Sequence, residues 1–308
     1  MTYQFVQRSG NVHLIDSHMF GFDRFQACYL IKGPHITLID TGVPTSLPHI
    51  RRALDQLEVA VGDISHIFVT HGEHPDHSGN VGALLQENTR AKVYIHPQGL
   101  TYLTQPEIEA NIRKSILPPE MSARFGEMVP VPENRIHLLN DNEVLDIGGG
   151  QSLKAIFTPG HQPSGMVLYN EFNGDLFIND LVGLHLPDAD TCFIFTPNRA
   201  EVKKYITSLE MLKKLPVKTL YLGHFGIRTD PETVIDKALR LMQGMMDIGA
   251  ECMKAGKPED IAPRLRAFFH PQIEKLKPVR GETLYTYLKN ELVASCAEAF
   301  SKYYQELR

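Results

Sequence analysis

The first two thirds of the chain consist of short apolar runs separated by turns, and this pattern constrains the fold most. Nine of these runs have the length and the β-branched content of strands. They are VHLID, ACYLIKG, HITLIDTG, HIFVTH, KVYIHP, SLKAIFTPG, MVLYN, DLFIND and TLYLGH. Segments with helical spacing fall between some of them, over residues 47–57, 79–87 and 199–215. Strands interspersed with helices predict a layered α/β (α+β) architecture with sheets inside and helices outside.

Two regions depart from this pattern and are predicted to be mainly helical. Residues 98–129 form an irregular helical insertion within the strand-rich part. Residues 231–308 predict about three helices, of which the first starts at Pro231 and stops near Gly256. We therefore expect one domain over residues 1–230, followed by a helical C-terminal region.

Composition excludes several classes of protein. The chain has 308 residues, of which 43% are hydrophobic and 22% charged, as in ordinary globular proteins. Its formal net charge is −5, and no polybasic run indicates a nucleic-acid partner. No apolar run is long enough to cross a membrane, and the N-terminus lacks the apolar segment of a secretory signal. Four scattered cysteines without CxxC pairing favour a reducing cytoplasm.

Ligand-type side chains collect where the strand-like runs end. His71 follows HIFVT, His161 follows AIFTPG, and His224 follows TLYLG. Asp180 follows LFIN in the same way. Imidazole suits zinc or iron, and a carboxylate can bridge two cations. Four such strand ends predict a metal site at one edge of a sheet sandwich.

In this order, the motifs resemble those of the metallo-β-lactamase superfamily over about residues 10–230. The matching segments are LIDTG at 38–42, a THxHxDH-like loop at 70–77, TPGH at 158–161, Asp180 after its strand, and GHFG at 223–226. The resemblance implies an αββα sandwich with a dinuclear metal site at its edge. We expect Asp40 of LIDTG to hold the turn below the site and not to bind metal.

The expected site binds two divalent metal ions per chain, zinc or iron, and no other cofactor. Its predicted ligands are His71, His74, Asp76, His77, His161, Asp180 and His224. Asp180 is expected to bridge the two ions. Asp76 is expected to be catalytic as well, because it would orient the attacking water and accept its proton.

The loop THGEHPDH is one residue longer than the family pattern, and two alignments explain this. In the first, Gly72 is inserted and His74 is the ligand. In the second, the loop resembles that of the flavodiiron and oxygen-binding diiron proteins, which read HxExDHSG. Glu73 is then the ligand and His74 the inserted residue. These diiron proteins also carry a histidine at the place of His185, which we expect in the pocket wall.

These features predict a hydrolase in which metal-bound hydroxide attacks a thioester, a lactone or a related acyl ester of a small molecule. The alternative is a diiron redox or oxygen/NO-binding sensor protein without hydrolase activity. A third option is a regulatory protein that keeps its metals and acts through a partner surface. We expect the helices of residues 231–308 to cover the active site. A homodimer contact is the alternative use of these helices.

Overall fold

The structure, a computed structural model, describes residues 6–187, 191–196, 201–276 and 285–306. Its contacts divide the chain into two compact units that interleave along the sequence. The first unit comprises Met1–Phe157, Ser164–Asn179 and Val217–Thr229. The second unit comprises Thr158–Pro163, Asp180–Pro216 and Asp230–Arg308.

The secondary structure agrees with the strand-rich and helix-rich regions of the sequence. The strands are β1 Val6–Ser9, β2 Val12–Asp16, β3 Ala27–Ile31, β4 Ile36–Ile39, β5 Ile64–Val69, β6 Lys92–Ile95, β7 Ile136–Leu138, β8 Val144–Gly148, β9 Gln151–Phe157, β10 Met166–Asn170, β11 Asp175–Ile178, β12 Leu184–Leu186, β13 Thr191–Phe193, β14 Thr219–Leu222 and β15 Gly226–Arg228. The helices are α1 Leu47–Gln56, α2 Pro75–Ser78, α3 Val81–Glu87, α4 Leu100–Thr104, α5 Glu107–Ile116, α6 Pro119–Phe125, α7 Val202–Leu212, α8 Pro231–Lys254, α9 Ile261–Glu274 and α10 Val293–Glu306.

The first unit contains two sheets. One has seven strands in the order β1 to β7, antiparallel up to β4 and parallel from there on. The other has six strands in the order β15-β14-β11-β10-β9-β8. In this sheet β14 is parallel to β11, while β10 is antiparallel to both β11 and β9. Strands β9, β11 and β14 therefore run in the same direction, and their carboxyl ends lie at one edge.

Apolar side chains from both sheets form a shared core in the first unit. The first sheet contributes residues such as Leu14, Tyr29 and Phe68, and the second contributes residues such as Leu168 and Phe177. All five are buried, as the alternation of a half-buried strand requires.

A second core lies on the other face of the seven-stranded sheet. There Ile67 and Val93 of the sheet pack with Ile50 and Leu54 of α1 and with Leu84 of α3. A helical layer and two sheets are thus present within this unit, in agreement with the predicted layered architecture.

The predicted helical insertion contains α4, α5 and α6, preceded by a 3₁₀ turn over Pro97–Gly99. Glycine ends α6, because Gly126 has a φ of 84° that other residues adopt with strain. This insertion belongs to the first unit.

In the second unit, α8 packs against α7, α9 and α10, and the β12–β13 hairpin packs against α9. The expected helix from Pro231 to Gly256 is observed as α8. The helical segment expected over residues 199–215 is observed as α7, and residues 199 and 200 lie outside the described residues. The last of the helices expected in residues 231–308 is observed as a π-helical stretch, Leu288–Leu292, followed by α10, while residues 277–284, 307 and 308 lie outside the described residues. No helix in the described part of the chain has the length and apolarity that a bilayer crossing needs.

The second unit combines the C-terminal helices with segments that precede residue 230. The predicted division places a single boundary at residue 230. Each of the two units instead combines three separate segments of the chain. That division, and the covering of the active site by residues 231–308, stay predictions.

Candidate metal centre

Asp40 holds the end of β5 and the first histidine-rich turn together. Its carboxylate accepts hydrogen bonds from the backbone nitrogen of Thr70 at 2.8 Å and from the Thr70 hydroxyl at 2.8 Å. Nδ1 of His77 lies 2.6 Å from the same carboxylate. This contact fixes the His77 ring through Nδ1 and leaves Nε2 for a cation, which is the usual arrangement of a metal-binding histidine. Asp40 thus has the structural position predicted for it.

Three of the expected ligands converge in the first unit. His71, Asp76 and His77 each offer one ligand atom, and these atoms lie within 4.8 Å of one another. The two histidines have no exposed surface, and Asp76 is 4% exposed. Burying an unpaired charge is costly. Buried side chains of this kind are therefore expected to be paired with one another or to bind a cation.

His224 joins this group from the carboxyl end of β14. Its Nε2 lies 3.4 Å from Oδ2 of Asp76, and Nε2 of His77 lies 3.8 Å from the same oxygen. Nδ1 of His224 lies 2.9 Å from the carbonyl oxygen of Phe25, so this ring is also fixed through Nδ1. A Cβ at Gly223 would lie 2.8 Å from Cε1 of His77, so the GHFG turn needs glycine to approach the histidine.

Asp76 carries the charge that a cation needs. Burial by itself raises the pKa of this carboxyl, but His74 and His77 outweigh burial and hold the pKa well below its usual range. The group is therefore ionised at neutral pH. Two imidazoles with fixed rings and an ionised carboxylate are a donor set that suits zinc or iron, so the residues present fit the metals expected here.

The extra residue of the loop is accommodated by glycine. The backbone nitrogen of Gly72 donates to Ser164 Oγ at 3.0 Å. A Cβ on Gly72 would lie 2.8 Å from both Cα and O of Gly99, which is backbone and cannot rotate away. The Gly72–Gly99 contact therefore allows the longer loop to lie against the turn that begins the insertion.

Glu73 and His74, the two alternatives for the remaining ligand of the loop, have different partners. Both carboxylate oxygens of Glu73 accept from Ser164, one from its backbone nitrogen at 2.8 Å and one from its hydroxyl. Nδ1 of His74 lies 2.8 Å from Oδ1 of Asp76. The His74 side chain is 31% exposed, in contrast to the buried His71 and His77.

The second unit brings His161 and Asp180 together. Nε2 of His161 lies 2.9 Å from Oδ2 of Asp180, and its Nδ1 lies 3.0 Å from the carbonyl oxygen of Phe195. Both side chains are buried. The Tyr205 hydroxyl donates to the carbonyl oxygen of Asp180 at 3.0 Å. A Cβ on Gly160 would lie 2.4 Å from Cα of Tyr205, which explains the glycine of TPGH.

His185, expected in the pocket wall, is 6% exposed and lies opposite Cys192 in the β12–β13 hairpin. Its Nε2 lies 3.5 Å from Cys192 Sγ. The structure thus places His71, Asp76, His77 and His224 together in one unit, and places His161 with Asp180 in the other. Their roles as ligands stay predictions. Sequence reasoning missed Ser164, for which HQPS alone gave no signal.

Known proteins resemble the chain along most of its length. A family model described as the Metallo-beta-lactamase superfamily matches residues 21–224. An uncharacterized protein of Bacillus subtilis (strain 168), YobT, is 34% identical over 160 residues, which cover 50% of this chain and 60% of YobT. The probable metallo-hydrolase YqjP of the same strain is 26% identical over 229 residues, or 68% of this chain and 70% of YqjP.

A different kind of relative is the putative diflavin flavoprotein A 1 of Nostoc sp. (strain PCC 7120). It is 27% identical over 220 residues, which cover 64% of this chain but only 32% of the flavoprotein. The chain thus spans less than two thirds of YobT and about a third of the flavoprotein.

Solved structures share the fold. The metallo-beta-lactamase family protein TTHA1429 from Thermus thermophilus superposes with a TM-score of 0.65, covering 99% of this chain and 93% of that one at 19% identity. At this identity the likeness concerns the fold alone. It confirms the predicted fold class, a layered α/β sandwich followed by C-terminal helices.

Proposed function

The chain belongs to the metallo-beta-lactamase superfamily, and from this membership we propose that it is a dinuclear metal-dependent hydrolase of a thioester, a lactone or a related acyl ester. One observation carries the proposal. Asp76, ionised and buried, faces Nε2 of His77 and Nε2 of His224, and both rings are fixed through Nδ1. Such a set has little use in a stable core except to hold a cation, because apolar side chains of the same volume would stabilise it as well.

The proposed ligands are His71, Asp76, His77, His161, Asp180 and His224, with His74 or Glu73 as the remaining candidate from the loop. Strand direction supports the inclusion of residues from the second unit. His161, Asp180 and His224 follow β9, β11 and β14, whose carboxyl ends lie at one edge of the same sheet. Each of these three residues thus follows a strand whose carboxyl end lies at this edge.

Hydrogen bonds beside these residues support the same assignment. Asn179 directly precedes Asp180, and its side-chain amide donates to the carbonyl oxygen of Thr70 at 3.3 Å. Thr70 in turn directly precedes His71. The residue before the proposed bridging carboxylate is therefore bonded to the residue before the first histidine.

The protein's contribution to the reaction follows from these contacts. Two divalent ions, when bound, supply a water of lowered pKa and polarise the substrate carbonyl. Asp76 orients the nucleophilic water through Oδ2, because its other oxygen is occupied by His74. Asp40 keeps His77 in one orientation through Nδ1. The proposed substrate is a small-molecule acyl compound, and the predicted covering of the active site by residues 231–308 would provide a wall for its acyl group.

The second candidate function is a diiron redox or gas-binding protein. The similarity to a diflavin flavoprotein favours it, as does a glutamate at position 73 of the loop. A glutamate ligand suits iron better than zinc. Both carboxylate oxygens of Glu73 accept a hydrogen bond from Ser164, so a metal bound by Glu73 would use their remaining lone pairs.

Metal analysis followed by a substrate panel tests the proposal. The protein is purified without added metal and its zinc and iron are measured by plasma mass spectrometry, and acyl thioesters and lactones are then assayed with the metal found. About two equivalents of zinc or iron with hydrolysis of an acyl compound support the hydrolase. Iron with a visible absorption band that changes with oxygen or NO, and no hydrolysis, supports the redox alternative. A chain without bound metal under either condition contradicts both.

A further inference from the structure

We propose that His74 is a positioning residue for Asp76 and not a metal ligand, and that the helical insertion of residues 98–129 holds it there. The inference rests on the proposed function, since it concerns the metal centre. It departs from both alignments of the lengthened loop, in which His74 is either a ligand or an inserted residue without a role.

The two carboxylate oxygens of Asp76 have different partners. Oδ1 lies 2.8 Å from Nδ1 of His74. Oδ2 lies 3.4 Å from Nε2 of His224 and 3.8 Å from Nε2 of His77. The contact with His74 thus fixes the rotation of the carboxylate and directs the other oxygen to the two imidazole nitrogens. A partner that orients a ligand in this way typically changes metal affinity about 10–100-fold.

The last helix of the insertion supports the His74 ring. Phe125, the last residue of α6, has no exposed surface. The His74 ring meets it edge-on, with ring centroids 5.0 Å apart and an interplanar angle of 90°. The guanidinium carbon of Arg113 lies 5.1 Å from the centroid of the same ring. Phe125 is therefore held by a cation and in turn limits the orientations of His74.

A buried ion pair fixes Arg113 within the insertion. Arg113 Nε donates to Glu109 at 3.0 Å, and its guanidinium also donates to Ser122 Oγ at 3.0 Å and to the carbonyl oxygen of Gly126 at 3.1 Å. Glu109 is 4% exposed and Arg113 is 3% exposed. A buried pair with this many bonds has one arrangement, so it gives α5 and α6 a defined geometry beneath Phe125.

Electrostatics connects Glu109 to the same histidine. Burial raises the pKa of the Glu109 carboxyl, and among the groups that oppose this effect His74 comes first, ahead of Arg113. The insertion therefore acts on His74 through the aromatic contact with Phe125, which the buried Glu109–Arg113 pair supports. This support keeps the imidazole beside Asp76.

Two substitutions of His74 separate positioning from ligation. The amide nitrogen of asparagine takes nearly the place of Nδ1 and can still donate to Asp76, but it is a poor ligand for zinc or iron. For His74→Ala we expect a metal dissociation constant about 10-fold higher or more, with the number of bound ions unchanged. For His74→Asn we expect an affinity within about 3-fold of the parent protein, since the contact is rescued.

Metal content and chelator competition are the readouts, so no activity assay is needed. Loss of one metal equivalent in both His74 variants would show a ligand and overturn the inference. An unchanged affinity in His74→Ala would overturn it as well. A parent protein that binds no metal would instead contradict the proposed function, which keeps the two failures distinct.

A second pair of variants tests the insertion. Glu109→Gln and Phe125→Leu should each raise the dissociation constant in the same direction as His74→Ala. Combined with His74→Ala they should add nothing, because all act through one contact. Glu107→Gln is the matched control, since Glu107 is exposed on the same helix α5.

Circular dichroism at the assay temperature verifies folding, and Phe125→Leu provides the test if the charge variant Glu109→Gln unfolds. Additive effects, or an unchanged affinity in both variants, would show that the insertion does not position His74.

Discussion

Two buried carboxylates at opposite edges of the first unit have opposite electrostatic character. Asp76 is 4% exposed and Asp175 is 8% exposed. Burial raises the pKa of both, but the histidines around Asp76 reverse the effect and hold its pKa well below the usual range. Around Asp175 the hydroxyls of Thr219 and Tyr221 only reduce the effect of burial, and its pKa stays raised.

The difference shows that burial does not identify a functional carboxylate. Asp175 begins β11 and pairs with Thr219 at the amino end of β14. Gly223, which follows the carboxyl end of β14, approaches the ring of His77. The two edges are made by the same strands, so the partners of each carboxylate decide its state. Imidazoles favour an anion that can hold a cation, whereas burial that hydroxyls only partly offset favours a neutral carboxyl that serves the fold.

The largest expected effect concerns metal binding at the two edges. Asp76→Asn should lower metal affinity by more than about 100-fold, because loss of a direct ligand should exceed the effect of losing an outer partner. Asp175→Asn, the matched change at the other edge, should leave metal content unchanged. Plasma mass spectrometry after dialysis against a weak chelator measures both. Full metal retention in Asp76→Asn, or metal loss in Asp175→Asn, would remove the distinction between the edges.

Tyr221, beside Asp175, should make the fold sensitive to alkali. Burial raises its pKa to about 12, with Asp175 adding to the effect. Because the folded pKa lies above the unfolded value of about 10, its stabilising contribution is complete below pH 10. That contribution is lost at about 1.4 kcal/mol per pH unit between pH 10 and 12. Tyr221→Phe should reduce this slope in urea unfolding. An unchanged slope in Tyr221→Phe would show that the surroundings of Tyr221 do not raise the pKa of its hydroxyl.

Gly72→Ala should destabilise the metal edge without changing any charge. The new methyl would lie 2.8 Å from backbone atoms of Gly99, so one of the two segments must move. Overpacking of this kind costs about 1–3 kcal/mol. Gly62→Ala is the control, since no atom lies within 4 Å of the Cβ built at that position. Equal melting temperatures for the two variants would show that the lengthened loop does not depend on the Gly72–Gly99 contact.

The smallest expected effect is the acid dependence of the two carboxylates in the metal-free protein. The raised pKa of Asp175 means that its contribution is complete below the unfolded value of about 4 and is lost as pH rises through the folded pKa. The lowered pKa of Asp76 means the reverse, a contribution present above about pH 4 and lost as pH falls. Urea unfolding from pH 4 to 7 should therefore show the stability advantage of the parent over Asp175→Asn shrinking as pH rises. A constant difference across this range would contradict the raised pKa.

The strand ends could be predicted from sequence because their signals are local. Short apolar strands mark their own ends, through Pro and Gly before His161, Gly before His224 and Asn before Asp180, so these three residues are candidates without knowledge of the sheets. The layered fold followed from the alternation of the same runs with helices. Helix α8 was predicted nearly to its end, because Pro231 and Gly256 mark its two termini.

The partners of these residues could not be predicted, since they come from distant parts of the chain. Ser164 meets Glu73 across 91 positions, and a single serine gives no sign of such a contact. The need for glycine at position 72 becomes clear only from the close approach of the Gly72 and Gly99 backbones. The Glu109–Arg113 pair has the i, i+4 spacing of many exposed helical pairs, so its burial beneath Phe125 was not evident from sequence.

The contact between His224 and the carbonyl oxygen of Phe25 joins residues 199 positions apart. At roughly 5–20 residues per second, a ribosome adds His224 roughly 10–40 s after Phe25. During this interval His71 and His77 have been synthesised, but the last histidine of the expected site does not yet exist. We therefore expect that any cation captured early binds an incomplete set of ligands, and that the choice between zinc and iron is made only after most of the chain has left the ribosome.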